Sequence, residues 1–154
     1  MHEAAFRSLP LELDCSWPLW EHPRQFELGH ILNCAVTDAL EPRYIGALGI
    51  HHAGLWECNL EDSSLIWSGG AYDIFGLTRG SAITREQTLA HYSDHSRSSL
   101  EQLRAYAIRH KRGFTLDVEI HAAAVGERRW VRLIGAPVCE GDSVVRVHGL
   151  KLIV

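Results

Sequence analysis

Motifs that announce chemistry are scarce in this sequence. It has no G-x-S-x-G elbow, no glycine-rich phosphate loop and no H-E-x-x-H run, so hydrolase, nucleotide and zincin chemistry have no foothold. Its four cysteines, Cys15, Cys34, Cys58 and Cys139, are scattered without a C-x-x-C pair. An even number would permit two disulfides, but nothing else points to secretion, and reduced thiols in the cytoplasm are the expectation. Met1 to Arg7 lack a basic start followed by an apolar run, so no signal peptide is expected. No apolar stretch approaches the roughly 18 residues needed to span a bilayer, and no membrane partner is expected. Charge of one sign is not in excess either. A net charge of −4 argues against a nucleic-acid binder, which would present a basic face.

Proline is almost confined to one end. Four of the five prolines fall before residue 53, dividing the chain into an extension, 1–52, and a domain, 53–154. Within the extension, Leu9, Leu11, Leu13, Cys15 and Trp17 alternate, which fits a strand ending at Pro18. Pro23 suits the first turn of a helix. Leu28, Leu32, Ala35, Val36 and Ala39 share one face of a helix ended by Glu41-Pro42. That face serves either to cover the domain's own core or to make a dimer contact.

What is abundant is apolar sequence, 46% of residues against 22% charged, enough for a folded core. Leu55–Leu60 and Leu65–Ser68 read as strands joined across four polar residues. Ala71–Phe75 gives a helical turn stopped by Gly76, and Thr84 caps a short helix reaching Tyr92. The longest helix starts near Ser93 or Asp94. It carries Leu100, Leu103, Ala107 and Ile108 on one side and ends in Arg109 to Arg112. Those basic residues complement the helix dipole, and Gly113 takes the left-handed cap. Phe114, Leu116, Val118 and Ile120 then alternate with polar residues, one face buried and one wet. Gly126-Glu127 and Gly141-Asp142 mark turns before strands at 129–135 and 144–153. The predicted fold is α+β: a five-stranded antiparallel sheet, with short helices and one long helix on one face, preceded by a helical extension.

Several residues in this order resemble the PAS superfamily, in the variety found in bacterial sensor histidine kinases and diguanylate cyclases. They are Gly54-Leu55-Trp56-Glu57-Cys58-Asn59-Leu60, Trp67-Ser68, Tyr72-Asp73-Ile74-Phe75-Gly76, His91-Tyr92-Ser93-Asp94, Gly126-Glu127-Arg128-Arg129-Trp130-Val131, Gly135-Ala136-Pro137 and Gly149. The resemblance spans 54–153. Tyr92 and Ser93 stand where the family has proline and acid. Ile153-Val154 stand in place of an Asp-Ile-Thr link to an output domain, which fits either a fragment of a larger sensor or a module signalling through its surface.

The resemblance implies a pocket between sheet and helices, a signalling role for a cytoplasmic bacterial module of the two-component type, and dimerisation through the outer sheet face or an N-terminal helix. The loop Thr78–Ile83 would adjust to occupancy. Trp67, Tyr72 and Phe75, which flank the first short helix, are candidate ligand contacts, with Leu103 and Trp130. The expected ligand is small and apolar or aromatic, or the partner is a signalling protein such as a kinase. No enzyme is expected. The family's photosensors carry cysteine in an N-C-R-F-L-Q run, whereas Gly76–Tyr92 holds none, so covalent flavin is not expected. Haem stays open through His91, His95 and His110, although a helix starting at Asp94 would separate the first two; His51, His52 and His148 read as surface histidines. Two other functions compete: a ligand-free interaction and dimerisation scaffold, and a small α+β-cone isomerase or dehydratase using Asp73 with His91.

Overall fold

The computed structural model describes residues 15–25, 53–123 and 126–154. Its single sheet has six antiparallel strands: β1 (Ser16–Pro18), β2 (Ala53–Asn59), β3 (Leu65–Trp67), β4 (Arg112–His121), β5 (Arg128–Glu140) and β6 (Ser143–Ile153). Their order is β1-β4-β5-β6-β2-β3. Long β4, β5 and β6 form the expected meander, because the turns between them let consecutive strands pair. Among the described residues the helices are a 3-10 turn (Leu19–Glu21) and α1 (His22–Gln25), α2 (Gly69–Phe75), α3 (Arg85–Leu89) and α4 (Asp94–His110).

The sixth strand corrects the count of five. The alternating run before Pro18 pairs through Ser16–Pro18 with β4, placing Trp17 opposite Gly113. Trp17 Nε1 donates to Thr115 Oγ1 at 3.1 Å, and Arg112 Nε donates to Ser16 Oγ at 2.6 Å. The remainder of the alternating run and the helix with Leu28 to Ala39 lie outside the described residues.

A second correction concerns the end of α4. Lys111, at φ 54°, takes the left-handed cap, while Gly113 is already in β4. The glycine is needed for a different reason. A Cβ there would lie 2.2 Å from the Trp17 ring, so Gly113 provides the flat surface on which Trp17 packs. The other boundaries follow their signals: Gly76 is left-handed after α2, Thr84 and Gln87 form a capping box for α3, and Ser93 caps α4.

Side-chain alternation splits the buried residues into two layers. Trp56, Cys58, Phe114, Leu116, Val118, Val131 and Leu133 point inward, against α2 and α4. Leu55, Ile134, Ala136, Leu150 and Leu152 point to the opposite face, where Trp17 and Leu19 pack on them. Both faces of the central strands are therefore buried. Among the described residues no helix is long and apolar enough to cross a membrane.

Candidate functional site

The inner layer is dominated by aromatic rings. Trp67 lies 4.8 Å from Phe75 and 5.4 Å from Tyr72 between ring centroids, and Phe75 lies 5.7 Å from Tyr92. Trp56 faces Phe114 at 6.5 Å. Gly135 makes room for this last pair, since a Cβ there would meet both rings within 3 Å. Tyr72 is held by its hydroxyl, which donates to the Ser81 carbonyl at 2.9 Å.

Between the rings and α3–α4 lies a cavity of about 50 Å³, room for a few waters. Trp56, Trp67, Tyr92, Phe114, Leu100 and Leu133 provide its apolar wall. Its polar groups come from three elements: Lys151 on β6, Arg85 and Thr88 on α3, and Arg104 on α4. The α3 contribution depends on the capping box, and Thr88 Oγ1 donates back to the Arg85 carbonyl at 2.8 Å. Ser96 fixes α4 against the sheet by accepting the Glu119 amide at 2.8 Å.

Lys151 is the unusual member. It sits between Leu150 and Leu152, which face the other layer, so alternation directs its side chain into the core. It is 6% exposed. Its Nζ lies 5.0–5.9 Å from the ring centroids of Phe75, Trp67, Trp56 and Tyr92, inside the range of cation–π attraction. It donates to Tyr92 Oη at 3.2 Å. Burial pulls the amine down to about 7 and pushes the Tyr92 phenol up, so the phenol remains protonated. Arg85 is paired with Glu101, and Arg104 Nη2 points to Cys58 Sγ at 3.9 Å.

Of the expected ligand contacts, Trp67 lines the cavity, while Tyr72, Phe75 and Leu103 are fully enclosed in the same layer. Trp130 is separated from them. Alternation with buried Val131 turns it to the outer face, where it is 52% exposed. Sequence reasoning missed Lys151, Tyr92, Arg85 and Arg104. The available signal for Lys151 was a lone lysine inside the apolar run Leu150–Ile153, which does not by itself give its face.

Asp73 and His91 each have other partners. Asp73 forms a two-point ion pair with Arg79, and His91 Nδ1 lies 3.1 Å from the His121 carbonyl. His95 belongs to α4 and His91 precedes it, so the two do not share a helix face. Among the described residues no group of three or more His, Cys, Asp or Glu stands together to hold a metal. On β5, Arg128, Arg129 and Arg132 pair with Glu119, Glu127 and Asp117 respectively. Arg129 also donates to the carbonyls of Asp73 and Ile74 at the end of α2.

No family model and no curated protein match this chain. Solved structures do. A sensory box histidine kinase/response regulator from Burkholderia thailandensis E264 aligns at TM-score 0.60 and 16% identity, over 75% of this chain and 84% of that one. The N-terminal domain of a diguanylate cyclase with PAS/PAC sensor from Marinobacter aquaeolei aligns at 0.59 and 14%, over 66% and 94%. An RNA-binding light-oxygen-voltage receptor aligns at 0.59 and 16%, over 67% of this chain but only 29% of its own length.

Proposed function

We propose that this chain, which has the PAS fold, is a non-enzymatic sensory or regulatory module whose 53–154 segment takes a small ligand between its helices and its sheet. The observation that carries the reading is the cavity itself. It is walled by Trp56, Trp67, Tyr92 and Phe114 and contains buried Lys151. A core serving only as packing has little reason to retain a lysine there, because an unpaired buried charge opposes folding.

The cavity is smaller than the roughly 300–1,000 Å³ of pockets for drug-sized ligands. Occupancy by anything beyond a few heavy atoms therefore requires α3 and the 76–84 loop to move outward. That requirement is what would make the module a sensor, since ligand and conformation become linked. A coupling of about 1–3 kcal/mol, or about 5–150-fold in affinity, is ordinary for such linkage. The transmitted change would reach a partner protein or a second copy through the outer sheet face and the N-terminal segment.

A thermal-shift screen of small aromatic and apolar compounds tests the reading, with Leu100→Phe as the cavity-filled control. Stabilisation of the native chain that disappears in the control supports an interior site. Equal shifts in both proteins would place binding elsewhere. The second reading, a ligand-free interaction scaffold, draws on the density of the Trp67–Phe75–Leu103 packing; it predicts no shift with any compound.

A further inference from the structure

Resting on that reading of the interior site, we infer that the ligand is a small organic monocarboxylate, its carboxylate held by Lys151 and Arg104 and its apolar body by the aromatic wall. Three cationic side chains, Lys151, Arg85 and Arg104, line the cavity, and none of the described residues lining it is acidic. Glu101 pairs with Arg85, which leaves Lys151 and Arg104 as the charges whose contacts in the cavity are with neutral groups, Tyr92 Oη and Cys58 Sγ.

A lysine ammonium has three donors. Lys151 directs one to Tyr92 Oη, leaving donor capacity for an acceptor arriving in the cavity. Its site is desolvated, so an anion there gains more than it would at the surface, and the burial cost already incurred by the fold is offset on binding. Rings on the same wall suit a flat or short apolar body, because base-like and benzenoid faces stack on tryptophan and tyrosine. A neutral ligand of the same shape would leave the buried amine as it is. A cation would be repelled by Lys151 and Arg104.

Isothermal titration of the whole chain at pH 6, in a carboxylate-free buffer, with benzoate and with uncharged benzamide, provides the test. A charge-assisted hydrogen bond is stronger than a neutral one, so benzoate is expected to bind about tenfold or more tightly than benzamide. In Lys151→Met, benzoate affinity is expected to fall about tenfold or more, and by more than benzamide affinity does. Arg104→Gln supplies the same comparison from α4, should the β6 variant fail to fold. Equal binding of both compounds to the native chain, or benzoate affinity retained in both variants, would overturn the carboxylate assignment while leaving an interior site for neutral ligands. Failure of benzoate to bind also overturns it; in that case the broader screen with the Leu100→Phe control decides separately whether an interior site exists.

Discussion

Lys151 makes the stability of the whole molecule depend on pH through one group. In the unfolded chain its amine titrates near 10.5, and in the fold burial lowers it to about 7. Below pH 7 both states are protonated and the buried charge weighs most against folding. Between 7 and 10.5 only the unfolded chain is protonated at this site, so stability rises with pH by up to about 1.4 kcal/mol per unit. Above 10.5 the dependence ends. The groups near the amine, Tyr92, Cys58, Arg85, Glu101 and Arg104, are present in both members of a Lys151→Met comparison. Urea denaturation at pH 6 and pH 9 is therefore expected to find Lys151→Met the more stable protein at pH 6, with the difference shrinking at pH 9. A constant difference would show that the amine is not buried as a base. Gly113 carries a second prediction at this scale. Ala would drive its Cβ into the Trp17 ring, and a loss of about 1–3 kcal/mol is expected in the same assay, with Trp17 fluorescence shifting as the ring becomes exposed.

Residues of this kind were the hardest to read in sequence. Alternation identifies inward positions only when one face is wet, as in β4, where Phe114, Leu116, Val118 and Ile120 were legible against Thr115, Asp117 and Glu119. In β6 the stretch Val147–Leu152 is buried on both faces, so its pattern is continuous and the phase of Lys151 is hidden. Trp130 failed in the opposite sense. Tryptophan is usually a core residue, but here its phase is opposite to Val131 and it takes the exposed face.

At the scale of elements, local chemistry set the boundaries well. Gly76, Thr84 and Ser93 act where their types predict, because capping depends on a few adjacent groups and not on the fold. The end of α4 is the exception. A lysine took the left-handed position since the next glycine was required against Trp17, a contact 96 residues away in sequence that no local rule contains. Lys111 in that conformation implies strain, and Lys111→Gly is expected to stabilise the protein by about 1 kcal/mol, read as a raised urea midpoint. The cap of α3 has a functional counterpart. Thr84→Ala removes the hydroxyl that accepts the Gln87 amide, one half of the capping box, and is expected to cost about 1 kcal/mol. Amide exchange should then quicken from 85 to 92 before it does in the sheet, because α3 is five residues long with a single fully buried residue, Thr88. Uniform quickening across the chain would mean that α3 opens only with global unfolding and cannot serve as the ligand gate.

At the scale of the whole molecule, the order β1-β4-β5-β6-β2-β3 puts three-residue strands at both edges of the sheet among the described residues. Short edges are poor templates for pairing another sheet, so any self-association through the sheet falls to its outer face and to the N-terminal segment that meets it. The fold class was legible because motif order and strand alternation agree over 54–153. The sixth strand was half legible: the alternating run predicted a strand, but its partner depended on β4 being an open edge. Of the cavity's lining, Trp67 was named from sequence, whereas Lys151, Arg85 and Arg104 were not, since they come from β6, α3 and α4, which no spacing in the sequence connects.

The central claim is that the space between the aromatic wall and α3–α4 is a ligand site. Denaturing mass spectrometry of the natively purified chain, beside an absorbance spectrum, tests it most directly. The account predicts a small organic molecule released in near one-to-one ratio from the native chain and absent from Leu100→Phe. A chain that releases nothing, or that releases the same molecule in the same amount from the cavity-filled variant, would contradict it.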